Sequence, residues 1–249
     1  MAKGFIYVVT TVTRGYIQKA FRNVPTQWGD RLYFGPCKKP MRPKMRVGDY
    51  VFGISSSSTP SRRIVFVGQI EERMRFGEAY ERFPELRGPE GPIHVRPVKG
   101  AGAFPTSEYE HIPGAMHGTK WKADLETRDR DAFFVCAREN GWVGRWLGPN
   151  GPQIDDEMLA FLQTCSVHGA SGCLSTLNPD ATVDNPVAYG RLYTGLHLET
   201  DQAEQLLEMC AARMTDNGDD SFDNRIVTPE RRPRVGSDAT TVRIFRDCR

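Results

Sequence analysis

The stretch RVGDYVFGIS, residues 46–55, decides the fold that we expect for this chain. Its Val-Gly-Asp turn signal is followed by β-branched and aromatic residues, which predict a strand over residues 50–55. A polar connection leads to RIVFVGQI, residues 63–70, which predicts a second strand. Because the connection is short, we expect the two strands to pair as an antiparallel hairpin. Gly53 and Gly68 lie inside the strands and indicate bulges or bends, as a small curved sheet requires.

Further elements are predicted on both sides of this hairpin. The additional strands are predicted at residues 5–12, 131–137, 191–198 and 241–246. Helices are predicted at residues 76–83, 152–165 and 200–215. Residues 87–118 are rich in Gly and Pro, and we expect an irregular surface segment there. Strands spread along the chain, with few helices between them, predict an α+β fold with a small, curved, mostly antiparallel sheet or barrel.

Composition predicts a soluble protein of a reducing compartment. The chain has 249 residues, of which 39% are hydrophobic, enough for one domain with insertions. No apolar run approaches the ~20 residues that span a bilayer. The first residues lack the pattern of a secretory signal, and the six cysteines lack the spacing of a disulfide framework. We therefore expect a cytoplasmic location.

The net charge of +2 conceals an uneven distribution. Residues 1–48 contain ten Lys or Arg and one acid, Asp30, for a net charge of +9. The remainder contains 23 basic and 30 acidic residues, for a net charge of −7. Such an asymmetry indicates a polyanionic partner for the basic part, although a chance imbalance is the alternative. Nucleic acid is the common polyanion.

Aromatic residues lie among these basic residues. Trp28, Tyr33 and Phe34 are close to six Lys or Arg, and no acid occurs over residues 31–46. Cationic side chains bind phosphate oxygens, and aromatic rings stack on bases that have left a duplex. The pattern therefore predicts a nucleic-acid interface. Packing of the aromatic rings beneath a loop is the alternative that the sequence leaves open.

The order of motifs resembles a known family. A first strand is followed by CKKPMR at residues 37–42, then by the Val-Gly-Asp turn and by VGQIEE at residues 67–72. The hairpin resembles that of PUA-like domains, which include the EVE, YTH and ASCH modules. More closely, residues 5–85 resemble the nucleotide modification associated domain 2 family, although the doubled lysine departs from its pattern. The resemblance implies one PUA-like domain with a core at about residues 5–85 and additions over residues 86–249.

The resemblance also implies a function. It links the chain to prokaryotic or phage DNA modification and to recognition of a modified or flipped base in nucleic acid, DNA more than RNA. An enzyme acting on a modified nucleotide (a transferase, hydrolase or glycosylase) is the alternative, so enzymatic activity stays open. A role in binding an acidic protein is a third hypothesis. Phage defence is the biological setting that we expect, and no cofactor is predicted.

We assign the following residues to the predicted site. The residues assigned to the base pocket are Trp28, Tyr33, Phe34, Asp49 and Ser55. Those assigned to phosphate are Arg31, Lys38, Lys39, Arg42, Lys44 and Arg46. The candidate nucleophile is Cys37, because neighbouring cations favour a thiolate, although no acid or His adjoins it in sequence.

Three further groups of residues could take part in metal binding or catalysis, and each also has a purely structural explanation. Cys165, His168 and Cys173 have spacing that suits part of a zinc site but lack a fourth ligand nearby, and we predict no metal. His111 and His117 are candidates for a second wall of the nucleotide site, or for a solvated loop. The carboxylates that suit a metal-dependent nuclease are Asp124, Glu126, Asp129 and Asp131. Basic residues between these carboxylates favour a solvated face.

Overall fold

The computed structural model of the chain combines one large sheet with four α-helices in the described residues. The structure describes residues 2–9, 12–13, 16–17, 25–36, 41–55, 63–88, 91–115, 117–138, 140–164 and 196–214. The predicted strand at residues 241–246 lies outside these ranges. No helix in these ranges is long and apolar enough to cross a membrane.

Twelve strands are defined in the described residues. They are β1 (Gly4–Val9), β2 (Val12–Thr13), β3 (Tyr16–Ile17), β4 (Thr26–Trp28), β5 (Arg31–Phe34), β6 (Tyr50–Ser55), β7 (Ile64–Met74), β8 (Val95–Pro97), β9 (Tyr109–His111), β10 (Phe133–Cys136), β11 (Arg145–Trp146) and β12 (Leu196–Leu198). The large sheet has the order β12-β1-β6-β7-β10-β5-β4, and β11 also pairs with β7. The β1–β6 pair is parallel, whereas the other pairs are antiparallel.

The predicted hairpin is confirmed as the centre of this sheet. Strand β6 pairs with β7 in antiparallel register, and the register shifts between Gly53 and Ile54. Gly53 lies under the ring of Phe66, where an added Cβ would be 2.0 Å from the ring atom Cε1. This residue must be glycine because the aromatic ring occupies the space of a side chain. The glycine therefore serves both the bulge and the packing of the hairpin.

The four helices are α1 (Phe76–Arg82), α2 (Trp121–Asp124), α3 (Asp156–Thr164) and α4 (Thr200–Arg213). Helices α3 and α4 pack on one face of the sheet, where Ile6, Phe52 and Leu206 share a core cluster. Neighbouring strand residues such as Phe5 and Val51 belong to the cluster on the opposite face. Alternation along β1 and β6 therefore gives the sheet two buried faces, and the predicted α+β class is confirmed.

The sheet does not close into a barrel in the part of the chain that the structure describes. Strands β12 and β4 are its two ends, and no pairing joins them. The predicted mostly antiparallel sheet with flanking helices is present, but the barrel that the resemblance implies is not.

The expectation of an irregular surface segment at residues 87–118 is wrong. Strands β8 and β9 form an antiparallel ribbon there, and Val95 and Tyr109 join a third core cluster with Phe76 of α1. Three-residue strands are too short to show a clear alternation among Gly and Pro. The ribbon folds against α1 because its apolar residues complete a core that the N-terminal strands leave open.

The Val-Gly-Asp turn connects the start of β1 to the hairpin. Gly48 has a φ of 93°, which favours glycine. Asp49 is 4% exposed, and its two carboxylate oxygens accept hydrogen bonds from the backbone N–H groups of Lys3 at 2.9 Å and Arg46 at 2.7 Å. One buried carboxylate therefore joins the first strand to the turn before β6.

We expect Asp49→Ala to lower the free energy of unfolding by about 2 kcal/mol, because two partly buried hydrogen bonds to a charged acceptor are lost. Asp49→Asn retains one amide oxygen and should lose less. Urea unfolding measures both changes. Glu81→Ala, at an exposed carboxylate on α1, is the control and should change the free energy by less than about 0.5 kcal/mol. Equal stability of Asp49→Ala and wild type would contradict the structural role of this carboxylate.

Candidate functional site

Trp28 lies at the edge of the sheet. It occupies β4, the terminal strand of the described sheet, and 54% of the residue is exposed. Among the described residues, Val47 is the one other large apolar residue that is similarly exposed. Its ring is therefore available for stacking.

The other residues assigned to the base pocket are buried. Tyr33 packs against the rings of Phe83 and Phe133, and Phe34 packs against Tyr7. Burial raises the pKa of the Tyr33 hydroxyl. The Ser55 hydroxyl accepts a hydrogen bond from the backbone N–H of Arg63 at 3.1 Å. With Asp49 in its turn, these side chains hold the sheet in shape.

The residues assigned to phosphate occupy different environments. Lys44 and Arg46 are exposed, whereas Arg31 forms an ion pair with Glu71 at 3.0 Å. Arg42 is fully buried, and its guanidinium donates to the backbone carbonyl oxygens of Asp124 and Arg130. The remaining assigned residues, Cys37, Lys38 and Lys39, lie outside the described residues, as do Cys165, His168 and Cys173.

Four exposed arginines link the turn at residues 46–49 to the ribbon of β8 and β9. They are Arg46, Arg73, Arg75 and Arg128, hereafter the arginine row. Partial burial, and then the positive charge of Arg46, lower the pKa of Arg73. Arg73 also donates to the backbone carbonyl of Asp129 at 3.4 Å, next to Arg128.

Two acids hold the far end of the arginine row in place. Glu108 forms ion pairs with Arg75 and, at 2.6 Å, with Arg128. The buried carboxylate of Asp131 accepts from Arg75 Nε at 2.8 Å and from the Phe76 N–H at 2.9 Å. The arginines are thus positioned by fixed partners, and they remain exposed to solvent.

A cleft opens beside Arg75, between the start of α1 and the ribbon. Its volume is about 510 Å³. Tyr109 forms part of its lining, and the Tyr109 hydroxyl donates to Asp131 at 2.8 Å. The Gly77 N–H donates to that hydroxyl at 3.2 Å. These bonds fix the inner wall of the cleft.

A cluster of histidines lies at the other end of the ribbon. His94 is fully buried, and its ring centroid is 5.7 Å from that of His117 and 6.4 Å from that of His111. His117 Nδ1 forms a hydrogen bond with the carboxylate of Asp124. His117 also has a φ of 70°, an unusual backbone conformation for a residue with a side chain.

Sequence reasoning missed His94, although a signal was present. His94 lies between Ile93 and Val95, and a polar residue between two apolar ones would alternate to the exposed face of an amphipathic strand. In the structure His94 and both of its neighbours, Ile93 and Val95, are buried, and neither ring nitrogen of His94 has a hydrogen-bond partner among the described residues. His111 and His117, which the sequence assigns either to a second wall of the nucleotide site or to a solvated loop, both lie beside His94.

The prediction of a solvated face for the four carboxylates is wrong for Asp124 and Asp131. These two are 7% and 4% exposed, because one contacts His117 and the other caps α1. Glu126 and Asp129 are exposed as expected. In the described ranges no group of three or more His, Cys, Asp or Glu side chains is arranged to hold a metal ion.

We expect the stability of the protein to fall as pH decreases through about 6.5. Burial, and then the neighbouring His117, Arg42 and His111, hold the pKa of His94 well below its ordinary value. The unfolded chain therefore binds a proton in this range that the folded chain does not, and folding is weakened by up to about 1.4 kcal/mol per pH unit.

Urea unfolding between pH 8 and pH 5 measures this dependence. His94→Gln removes the titrating group and should lower the slope of unfolding free energy against pH below about 6.5. A slope identical to that of the wild type would contradict this role for His94.

The comparison with known proteins identifies the N-terminal part of the chain. No curated protein and no solved structure matches it. Residues 1–90 match the family model described as nucleotide modification associated domain 2, in agreement with the resemblance found in the motif residues. Three arginines of the row lie within this range, whereas Arg128 and the histidine cluster lie beyond it. Residues 1–90 are therefore similar to the nucleotide modification associated domain 2, and this similarity links that part of the chain to nucleotide modification.

Proposed function

We propose that this protein binds nucleic acid and recognises a modified base in it. The observation that carries the proposal is the arginine row, which begins in the matched domain and continues onto the segment packed against it. Arginine binds phosphate oxygens in a planar, bidentate geometry, and such contacts supply affinity that does not depend on sequence. A row of exposed arginines on a domain linked to nucleotide modification suits a nucleic-acid backbone.

The geometry of β7 supports a continuous contact. Arg73 lies in β7, and Arg75 follows the end of this strand with an extended backbone, so the two side chains leave the same side of the chain at a spacing of about 7 Å. Arg46 extends this surface on one side and Arg128 on the other. Glu108 neutralises part of the charge at the Arg75 end, which leaves Arg46 and Arg73 as the stronger phosphate contacts.

The residues assigned from the sequence enter this proposal in three ways. Lys44 adds a phosphate contact near Arg46, and Trp28 stacks on a base. Lys38 and Lys39, outside the described residues, keep the phosphate role that the sequence predicts for them. Arg31 and Arg42 do not contact phosphate in this proposal, and they position other residues instead. Arg31 forms an ion pair with Glu71, and the buried Arg42 donates to the carbonyl oxygen of Asp124. The residues assigned to the base pocket, Tyr33, Phe34, Asp49 and Ser55, are buried and act by keeping the sheet in shape.

The proposal retains the finer expectations from the resemblance. DNA is the favoured nucleic acid, the base is flipped out of the helix, and the setting is prokaryotic or phage DNA modification, including phage defence, in the cytoplasm. The relationship to PUA-like domains, which hold a single base, belongs to the same proposal.

We expect binding of DNA to weaken steeply as salt increases, because each neutralised phosphate releases counterions. The double variant Arg46→Gln/Arg73→Gln should reduce the slope of log K against log salt by about two. Fluorescence anisotropy with paired modified and unmodified oligonucleotides, read at several salt concentrations, gives the slope and the preference together.

Lys3→Gln is the matched control for this measurement. Its ammonium group pairs with Glu199 at 3.2 Å, on the side of the sheet that carries α4, so the loss of one positive charge there should leave the slope unchanged. Salt-insensitive binding by the wild type, or equal affinity for every modified and unmodified oligonucleotide, would refute the proposed function.

A second candidate function, an enzyme acting on a modified nucleotide, is favoured by the histidine cluster. The Asp124 carboxylate orients the ring of His117, which is the arrangement that a general base requires. The Arg42 guanidinium, next to this pair, would stabilise negative charge. Cys37 stays the candidate nucleophile of this alternative.

We expect an enzyme of this kind to change the nucleosides of phage-type modified DNA, and His117→Gln to abolish the change. Mass analysis of digested DNA after incubation detects the product. The control is His197→Gln, because His197 lies on β12 and packs against Phe5, away from the cluster. An unchanged nucleoside profile with the wild type would exclude the activity on the substrates used.

A further inference from the structure

The cleft beside Arg75 has the size and the lining of a nucleotide site. Its volume of about 510 Å³ is within the range of roughly 300–1,000 Å³ that small-molecule sites occupy. Its lining includes Gly77 and Glu78 at the start of α1, and Pro97, Val98 and Lys99 at the end of β8 and directly after it.

Two cationic side chains, Arg75 and Lys99, line the cleft together with two acidic ones, Glu78 and Glu108. Arg75 lines the cleft and is also a member of the arginine row, so the proposed path of the nucleic-acid backbone reaches the opening. Lys99 is exposed and presents a second cation. A phosphate between these two side chains would hold a nucleotide with its base directed into the cleft.

The interior offers apolar contacts and hydrogen-bond acceptors. Pro97 and Val98 give an apolar surface for the faces of a base. Glu108 also lines the cleft, and hydrogen bonds from Arg75 and then Arg128 lower the pKa of its carboxyl. An ionised carboxylate accepts hydrogen bonds only, so it suits the exocyclic amino group that cytosine and adenine carry.

The cleft has a fixed shape. The Tyr109 hydroxyl is held between Asp131 and the Gly77 N–H, and a Cβ on Gly77 would be 3.3 Å from this oxygen. Glycine thus lets the start of α1 approach Tyr109 closely. A site that exists before its ligand arrives loses less conformational freedom on binding.

We propose that this cleft holds a flipped-out nucleotide whose base carries an exocyclic amino group, a modified cytosine or adenine, with its phosphate between Arg75 and Lys99. The inference rests on the proposed function and deepens it, since the arginine row binds the backbone and the cleft reads one base. Extrusion of the base costs unpairing and unstacking, which contacts inside the cleft must offset.

The test uses a variant that fills the cleft. Val98→Trp should lower the affinity for an oligonucleotide containing a modified cytosine or adenine by about tenfold and abolish its preference over unmodified DNA. The salt slope on unmodified DNA should stay that of the wild type, because the arginine row is intact. Ala211→Trp adds the same side chain at an exposed position of α4 and should retain the preference. Thermal unfolding verifies that both variants are folded.

Free mononucleotides separate this inference from the proposed function. The probes are dCMP, dAMP, dTMP, their 5-methyl, 5-hydroxymethyl or N6-methyl derivatives, and the matching nucleosides, measured by calorimetry. Lys99→Gln should weaken binding of the monophosphates several-fold without changing that of the nucleosides.

Each result has a defined meaning. Retention of the modified-base preference by Val98→Trp would overturn the cleft inference and leave the proposed function standing. If the wild type shows no preference in oligonucleotides, the proposed function fails. The cleft then stands only if mononucleotides bind the wild type and Val98→Trp prevents it. Absence of all mononucleotide binding in that case would overturn the inference too.

Discussion

The buried guanidinium of Arg42 joins the two parts of this structure. It belongs to residues 1–90, yet its hydrogen bonds end on the carbonyl oxygens of Asp124 and Arg130. Removal of a cation from water is costly unless hydrogen bonds replace its hydration, so the segment that supplies these carbonyls is held against the domain. This one side chain therefore connects the matched domain to residues beyond it.

The segment held by Arg42 carries most of the groups that give the surface its chemistry. Asp124 orients His117, and Asp131 accepts from Arg75, Tyr109 and the N–H that begins α1. Arg128 lies between them in sequence and extends the arginine row. Neither the matched domain nor the later segment forms the proposed surface alone, because three of its four arginines belong to the first and the carboxylates that hold Arg75 belong to the second.

The histidine cluster and the cleft lie at opposite ends of the same ribbon. His94 precedes β8 and Lys99 follows it, while His111 and Tyr109 are at the two ends of β9. A rigid ribbon packed on α1 keeps both sites in a constant relation to the arginine row. Base recognition and chemistry on a nucleotide would thus use separate ends of one element.

The sequence by itself determined the central hairpin, the α+β class and the resemblance of the N-terminal domain. These follow from local patterns: β-branched alternation, Val-Gly-Asp turn chemistry and helix periodicity act over a few residues. Only the tertiary structure decided which charged side chains are exposed. Arg42 and Arg46 are both arginines in one basic stretch, yet one is buried by carbonyl oxygens from a segment about 80 residues later and the other faces solvent. Packing between segments distant in sequence sets such differences. The arginine row, the burial of His94 and the cleft depend in the same way on how β7, β8 and β9 lie against one another.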